Sequence, residues 1–211
     1  MKIVCISDTH MKHDRLIVPD GDVLIHCGDI CFSRSNDFRG QIDDINIFIH
    51  WLKSLPHKHK ILVAGNHDVV MEEYPLLADK MLQGITYLRD EAVTIDGITF
   101  YGTPWQPIFG HWGFNRSPEI LKIKYAEIPM NVDVLITHCP PLGVLDMAHN
   151  EYCGSYELLS RVTETKPRYH VFGHIHENGE RAQKGARTIF VNCSVLDNEY
   201  NLVYEPMEFE I

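Results

Sequence analysis

The sequence predicts an α/β fold in one domain spanning residues 1–211. Three observations support this prediction. Apolar runs of strand length alternate with helix-sized segments along the chain. The composition, with 45% hydrophobic and 23% charged residues, is that of an ordinary globular protein. A length of 211 residues suits one domain better than two independent cores.

Six apolar runs have the length and composition of buried strands: residues 2–6, 22–26, 60–64, 132–137, 169–172 and 188–192. Two alternating segments, 92–95 and 98–102, flank the dipeptide Asp96-Gly97. An Asp-Gly pair between such segments favours a hairpin with a two-residue turn.

Helices are predicted between these strands. In residues 41–55 the apolar side chains recur on one face, and Pro56 ends the helix. Residues 71–82 are a second, less regular candidate. Two further helices, ending near Glu127 and Thr165, begin at the candidate N-cap residues Ser117 and Ser155.

Charge and hydropathy limit the classes of partner. The net charge of −10 argues against long nucleic acid as the main ligand, because sequence-independent binding of nucleic acid needs a basic surface. A small anion held by bound metal remains compatible with this charge. No apolar run is long enough to span a bilayer, and the N-terminal run is too short for a signal peptide. The sequence therefore predicts a cytoplasmic protein.

Polar clusters follow five of the predicted strands. They are Ser7-Asp8-Thr9-His10, His26-Cys27-Gly28-Asp29, Gly65-Asn66-His67-Asp68, Thr137-His138-Cys139 and Gly173-His174-Ile175-His176. Ligands of open α/β sheets bind outside the carboxyl ends of the strands, so these clusters are expected to meet at one edge. Their carboxylate, amide and imidazole groups suit manganese, iron or zinc better than calcium. Seven such ligands exceed the need of one ion and favour a two-metal site.

Taken in order, these motifs resemble those of the calcineurin-like metallophosphoesterase superfamily. Other stretches resemble the narrower metallophosphoesterase-domain-containing group, whose brain-expressed members are phosphodiesterases: Thr103-Pro104-Trp105-Gln106-Pro107 and Trp112-Gly113-Phe114-Asn115 are examples. The resemblance implies a two-sheet β-sandwich with flanking helices. It also implies two divalent metal ions, with manganese ahead of iron, zinc, nickel and magnesium.

The resemblance assigns a role to each ligand in turn. The first metal is expected on Asp8, His10 and His176, the second on Asn66, His138 and His174, and Asp29 is expected to bridge both. His67 is expected to face the scissile phosphate as the catalytic residue without binding metal. Protein phosphatases of the superfamily carry an acid and an arginine soon after Gly-Asp. Here Ile30-Cys31-Phe32-Ser33 follows instead, which argues against phosphoprotein substrates.

The expected activity is hydrolysis of phosphodiester bonds in small substrates, such as cyclic nucleotides, by a hydroxide bridging the two metals. The alternatives are a phosphomonoesterase, or a catalytically weak nucleotide-binding or scaffold module on the same fold. The aromatic segment 105–114 offers weak candidates for substrate binding, Phe109, His111 and Trp112, if its rings stack on a nucleobase. The other interpretation is that its tryptophans fill the core beneath a long loop.

Overall fold

Two β-sheets form the centre of the computed structural model, which describes residues 1–211. The first sheet contains β1 (Lys2–Ile6), β2 (Val23–His26), β3 (His59–Leu62), β4 (Thr86–Tyr87) and β15 (Met207–Glu210). Its spatial order is β15-β1-β2-β3-β4, and only β15 runs antiparallel to its neighbour.

The second sheet has six strands: β5 (Glu91–Ile95), β6 (Ile98–Thr103), β9 (Val134–Thr137), β12 (Tyr169–Phe172), β13 (Arg181–Lys184) and β14 (Ile189–Asn192). Its order is β13-β14-β12-β9-β6-β5, with four central parallel strands and an antiparallel strand at each edge. Two small ribbons lie outside the sheets. They pair β7 (Gln106–Pro107) with β8 (Asn115–Arg116), and β10 (Met147–Ala148) with β11 (Glu151–Tyr152).

Five helices accompany the sheets: α1 (Phe38–Ser54), α2 (Val69–Glu73), α3 (Pro75–Met81), α4 (Pro118–Ala126) and α5 (Tyr156–Thr165). Alternation along the strands explains the layers. In β1, Ile3 and Cys5 pack between the sheets against residues such as Val134 of β9, whereas Val4 and Ile6 belong to the core shared with the helices. The two sheets with flanking helices confirm the predicted fold class.

The predicted helix over residues 71–82 is wrong in one respect, since it is two helices. Pro75 lacks an N–H and disfavours helical geometry at the residue before it, so Tyr74 adopts φ −126° and ψ 63°. The predicted N-cap at Ser155 is confirmed, because its hydroxyl accepts a hydrogen bond from the Leu158 N–H. Ser117 precedes α4, but its side chain makes no capping bond.

The parallel strands bring their carboxyl ends to one side of the molecule. A β-bridge between Ser7 and Ser194, just beyond β1 and β14, joins the two sheets there. The five polar clusters predicted from the sequence follow β1, β2, β3, β9 and β12 at this edge. None of the five helices is long and apolar enough to cross a bilayer.

Candidate metal centre

Asp8 organises one side of the site. Asp8 is fully buried, and its backbone is in the left-handed region with φ +55°, which turns the chain sharply at the end of β1. The carboxylate accepts hydrogen bonds from the Ser194 hydroxyl at 2.6 Å and the His174 N–H at 3.0 Å. Its other oxygen lies 3.4 Å from His176 Nε2. The ligand atoms of Asp8, His10 and His176 lie within 4.8 Å of one another, which is close enough for one ion.

Asp29 occupies the centre of the site. Its Oδ1 accepts the His67 N–H at 2.7 Å, while Oδ2 lies 3.4 Å from His138 Nε2 and 3.7 Å from His10 Nε2. Asp29, His138 and His174 form a second cluster within the same 4.8 Å limit. Because a single carboxylate oxygen faces ligands of both groups, Asp29 has the placement that a bridging ligand requires.

Asn66 lies beside this second cluster, with Oδ1 2.9 Å from His138 Nε2. The Gly65 before it allows the loops after β2 and β3 to approach closely. A Cβ on Gly65 would lie 2.2 Å from Asp29 Oδ1, and one on Gly173 would lie 2.1 Å from Asp8 Oδ2. These glycines are therefore required by the carboxylates beside them rather than by their own backbone angles.

Backbone carbonyl groups fix the tautomers of three histidines. The Nδ1–H groups of His10, His138 and His176 donate to the carbonyl oxygens of Cys31, Cys27 and Asp197, at 2.8 to 3.0 Å. Each ring therefore turns Nε2 towards the carboxylates. Such bonds from the other ring nitrogen are typical of metal-binding histidines. His10 Nε2 is buried and has no partner in the protein, which leaves its lone pair free for a cation.

The electrostatics of the site favour positive charge. Burial lowers the pKa of His10 to about 4 and that of His174 to about 3, so both rings are neutral at pH 7, as metal ligands must be. Burial also opposes the charged form of His138 and His176. The neighbouring Asp29 and Asp8 outweigh it and raise each pKa to about 9. Without a metal, protons on these two rings balance the carboxylates, and divalent cations would displace them.

Asp68 holds the ligand loops together. Its two carboxylate oxygens accept the backbone N–H groups of Asp29, Ile30, Cys31 and Gly65, at 2.8 to 3.0 Å. Burial, reinforced by the charge of Asp29, raises the pKa of Asp68 to about 6. Asp68 follows His67 in sequence but does not orient its ring. The carboxylate facing His67 is that of Asp29, whose Oδ2 lies 4.0 Å from His67 Nε2.

A cavity of about 480 Å³ opens onto the clusters. Its walls include His67 and the aromatic residues Phe109, Tyr152 and Tyr200. Phe109 is 58% exposed and meets the edge of His174, with ring centroids 6.0 Å apart. His111 is exposed and does not line this cavity, whereas Trp112 stacks on His67. Trp105 is buried, and its indole N–H donates to Asp90.

The sequence motifs do not include the C-terminal contribution to the site. Tyr200 packs edge to face on His10 and His176, with ring centroids 4.9 and 5.3 Å apart. The turn before it supplies the Asp197 carbonyl to His176, and Ser194 supplies its hydroxyl to Asp8. Isolated Ser, Asp and Tyr residues in a C-terminal segment carry no spacing signal, so only the folded chain shows their relation to the clusters.

Comparison with protein families decides the ancestry of this site. The family model described as calcineurin-like phosphoesterase matches residues 1–178, which include all the ligand motifs. The chain belongs to this family. Among calcineurin-like phosphoesterases, the chain is 38% identical over 238 residues to human metallophosphoesterase domain-containing protein 1, covering 100% of this chain and 71% of that protein. A UPF0046 protein of Caenorhabditis elegans is 37% identical, covering 100% of this chain and 81% of its own length.

A solved structure supports the fold of this member of the family. It aligns with a TM-score of 0.72 at 16% identity and covers 90% of this chain and 89% of the solved chain. The buried histidine and aspartate clusters are consistent with a two-metal site of the kind typical of the family. The side chains of this chain fit such a pair of metal ions. Three histidines have tautomers fixed by backbone carbonyls, His10 Nε2 has no partner, and the Asp29 carboxylate faces both clusters. Tyr200 and Asp197 lie beyond the matched region.

Proposed function

We propose that this protein hydrolyses phosphodiester bonds of small substrates, such as cyclic nucleotides, with two divalent metal ions. The single observation that carries the proposal is the position of Asp29, whose Oδ2 lies within 4.0 Å of nitrogens on His10, His67 and His138. One carboxylate between two histidine groups is the arrangement that a pair of ions sharing a ligand needs.

The proposed ligand sets follow the two clusters. Manganese is the first candidate metal, ahead of iron, zinc, nickel and magnesium, because the donors mix imidazole with carboxylate and amide oxygen. The first ion is assigned to Asp8, His10 and His176, the second to Asn66, His138 and His174, with Asp29 shared. When bound, two divalent ions supply Lewis acidity, which draws charge from phosphoryl oxygens and lowers the pKa of water.

His67 is the proposed catalytic side chain. It lines the cavity beside Asp29. Its ring also lies within 4.8 Å of ligand atoms of His10 and Asp29, but the two proposed ligand sets each have three residues besides Asp29 without it. In the protonated form its Nε2–H would donate to the oxygen that leaves phosphorus, or to an equatorial phosphoryl oxygen.

The cavity supports a small substrate. A volume of about 480 Å³ is within the range of pockets that enclose nucleotide-sized ligands. Phe109 and Tyr152 give it apolar walls suited to a flat organic group. The net charge of −10 disfavours a long polyanion as the substrate.

A substrate and metal screen tests this proposal. The purified protein, stripped of metal and reloaded with manganese, iron, nickel, zinc or magnesium, is assayed on phosphomonoesters, linear diesters and 2′,3′- and 3′,5′-cyclic nucleotides. We expect metal-dependent turnover of diesters, and none in Asp29→Asn. Faster turnover of monoesters than of every diester would make the protein a phosphomonoesterase. Stoichiometric metal binding without turnover of any ester would make it a binding or scaffold module.

A further inference from the structure

The motif Trp112-Gly113-Phe114-Asn115 contains the closest aromatic contact to the proposed catalytic group. The indole of Trp112 stacks on the imidazole of His67, with ring centroids 3.9 Å apart and planes at 26°. His10 meets the His67 ring edge-on, with centroids 4.6 Å apart and planes at 81°. The His67 side chain is therefore enclosed by aromatic rings and only 14% exposed.

Hydrogen bonds do not determine the orientation of the His67 ring. Its backbone is fixed, because its N–H donates to Asp29 and its carbonyl accepts from Gln41 Nε2. The imidazole itself makes no hydrogen bond to the protein, since Nε2 lies 4.0 Å from Asp29 Oδ2. Packing against Trp112 and His10 is what remains to set the two side-chain torsions.

The chain around Trp112 is fastened to the loop that carries His67. The Gly113 N–H donates to the carbonyl of Asn66 at 2.9 Å. The Phe114 N–H donates to Glu72 of α2, and the same carboxylate forms an ion pair with Arg116 at 2.8 Å. The position of Trp112 is therefore fixed relative to His67, because Gly113 is bonded to Asn66, next to His67, and Phe114 is bonded to Glu72 of the following helix.

The other residues of the motif explain why this segment holds its shape. A Cβ on Gly113 would lie 3.1 Å from the Asn66 carbonyl oxygen, so a larger residue would require the two loops to separate by a few tenths of an ångström. The Asn115 side chain accepts from the Phe109 N–H and donates to the Phe109 carbonyl, which closes the loop. Phe114 is fully buried and anchors the segment in the core.

We propose that Trp112 is a positioning residue that acts through His67, keeping the imidazole in the one orientation that presents Nε2 beside Asp29. The proposal rests on the proposed function, in which His67 contacts the substrate. It also gives Trp112 a role different from nucleobase stacking, because the face of the indole towards the site is covered by His67. An ångström-scale displacement of a catalytic group costs as much as about 100-fold in rate.

Steady-state kinetics test the proposal. The substrate is bis(p-nitrophenyl) phosphate with saturating manganese, and the variants are Trp112→Leu, Trp112→Phe and His67→Ala. We expect Trp112→Leu to lower kcat by about 10- to 100-fold at unchanged KM and metal content. Trp112→Phe keeps an aromatic face and is expected to stay within about 3-fold of the natural protein. Trp51→Leu is the matched control, since Trp51 packs on His13 outside the clusters, and it is expected to retain full turnover.

A double variant shows whether Trp112 acts through His67. If it does, His67→Ala and His67→Ala/Trp112→Leu differ in kcat by less than about 2-fold. A full additional loss in the double variant, or a change in KM alone, would overturn the proposal.

The crystal structure of metal-free Trp112→Leu gives an answer that does not depend on activity. We expect the His67 ring to rotate or to occupy more than one orientation. An unchanged His67 ring would overturn the positioning role even if no ester were hydrolysed, whereas a displaced ring with an inactive natural protein would count against the proposed function alone.

Discussion

Asp68→Asn is predicted to destabilise the protein at unchanged side-chain volume, because the Asp68 carboxylate accepts four buried backbone N–H groups. One carboxylate oxygen accepts the N–H groups of Asp29 and Gly65, and the other accepts those of Ile30 and Cys31. An asparagine offers one acceptor oxygen and one NH₂ group. Two buried N–H donors would therefore face another donor instead of an acceptor.

The magnitude follows from the number of orphaned donors. Each buried N–H without an acceptor costs about 1–3 kcal/mol, so the two lost hydrogen bonds alone predict a loss of about 2–6 kcal/mol in the free energy of unfolding. Burial and the Asp29 charge raise the pKa of Asp68 to about 6, and removing this disfavoured charge offsets about 3 kcal/mol at pH 8, so the net loss is expected to be about 1–3 kcal/mol. The measurement is urea unfolding of the metal-free protein at pH 8, where Asp68, with its pKa raised to about 6, is ionised. Metal-free protein is used so that changes in metal binding do not contribute.

Asp44→Asn is the matched control. Asp44 also accepts two backbone N–H groups, from Phe32 and Ser33, but through a single oxygen and at a partly exposed position. The asparagine oxygen can replace that acceptor, so we expect a loss below about 1 kcal/mol. A loss of similar size in Asp68→Asn would refute the argument that Asp68 is the acceptor holding the ligand loops together.

Three further predictions concern His67, Tyr200 and His170. His67→Ala is expected to lower kcat on an activated diester by about 10²- to 10⁴-fold while two metal equivalents remain bound, and unchanged turnover would remove His67 from the mechanism. Tyr200→Ala removes the ring that packs on His10 and His176 and is expected to weaken manganese binding, measured by calorimetry, by about 10-fold, whereas Tyr200→Phe keeps it; equal affinity in all three proteins would contradict this. Burial lowers the pKa of His170 from 6.5 to about 3, so the unfolded chain takes up this proton first as the pH falls. The free energy of unfolding therefore falls as the pH decreases from about 6.5 to about 3, by about 1.4 kcal/mol per pH unit. His170→Phe should remove this contribution to the pH dependence of stability, measured by urea unfolding of metal-free protein.

Local patterns account for how closely the strands and the hairpin follow the predictions. The strands of residues 2–6 and 169–172 have the predicted bounds, because each is a short apolar run bounded by polar residues. The Asp96-Gly97 turn adopts positive φ at both residues, +48° and +85°, as a type I′ hairpin turn needs. The antiparallel strand Met207–Glu210 alternates in burial, but its pairing with β1 depends on a partner about 200 residues away.

The residues of the candidate site divide in the same way. Motifs of two to four residues at strand ends predicted the eight side chains that lie around the two clusters, because a strand end places its own neighbours at the sheet edge. The local motifs do not show which other side chains hold these eight in place. Asp68, adjacent to His67, bonds to backbone N–H groups rather than to the imidazole, and Trp112, 45 positions away, covers the ring instead.

By itself the sequence determined the alternation of strands and helices, the types of side chain offered as candidate ligands and the order in which they meet the sheet edge. These properties depend on local periodicity and on the chemistry of individual side chains. The tertiary structure alone decided that Asp29 faces both histidine groups, that Trp112 stacks on His67 and that Tyr200 closes one wall. These contacts join segments far apart in the chain, and their geometry exists only once two sheets pack with their carboxyl ends together.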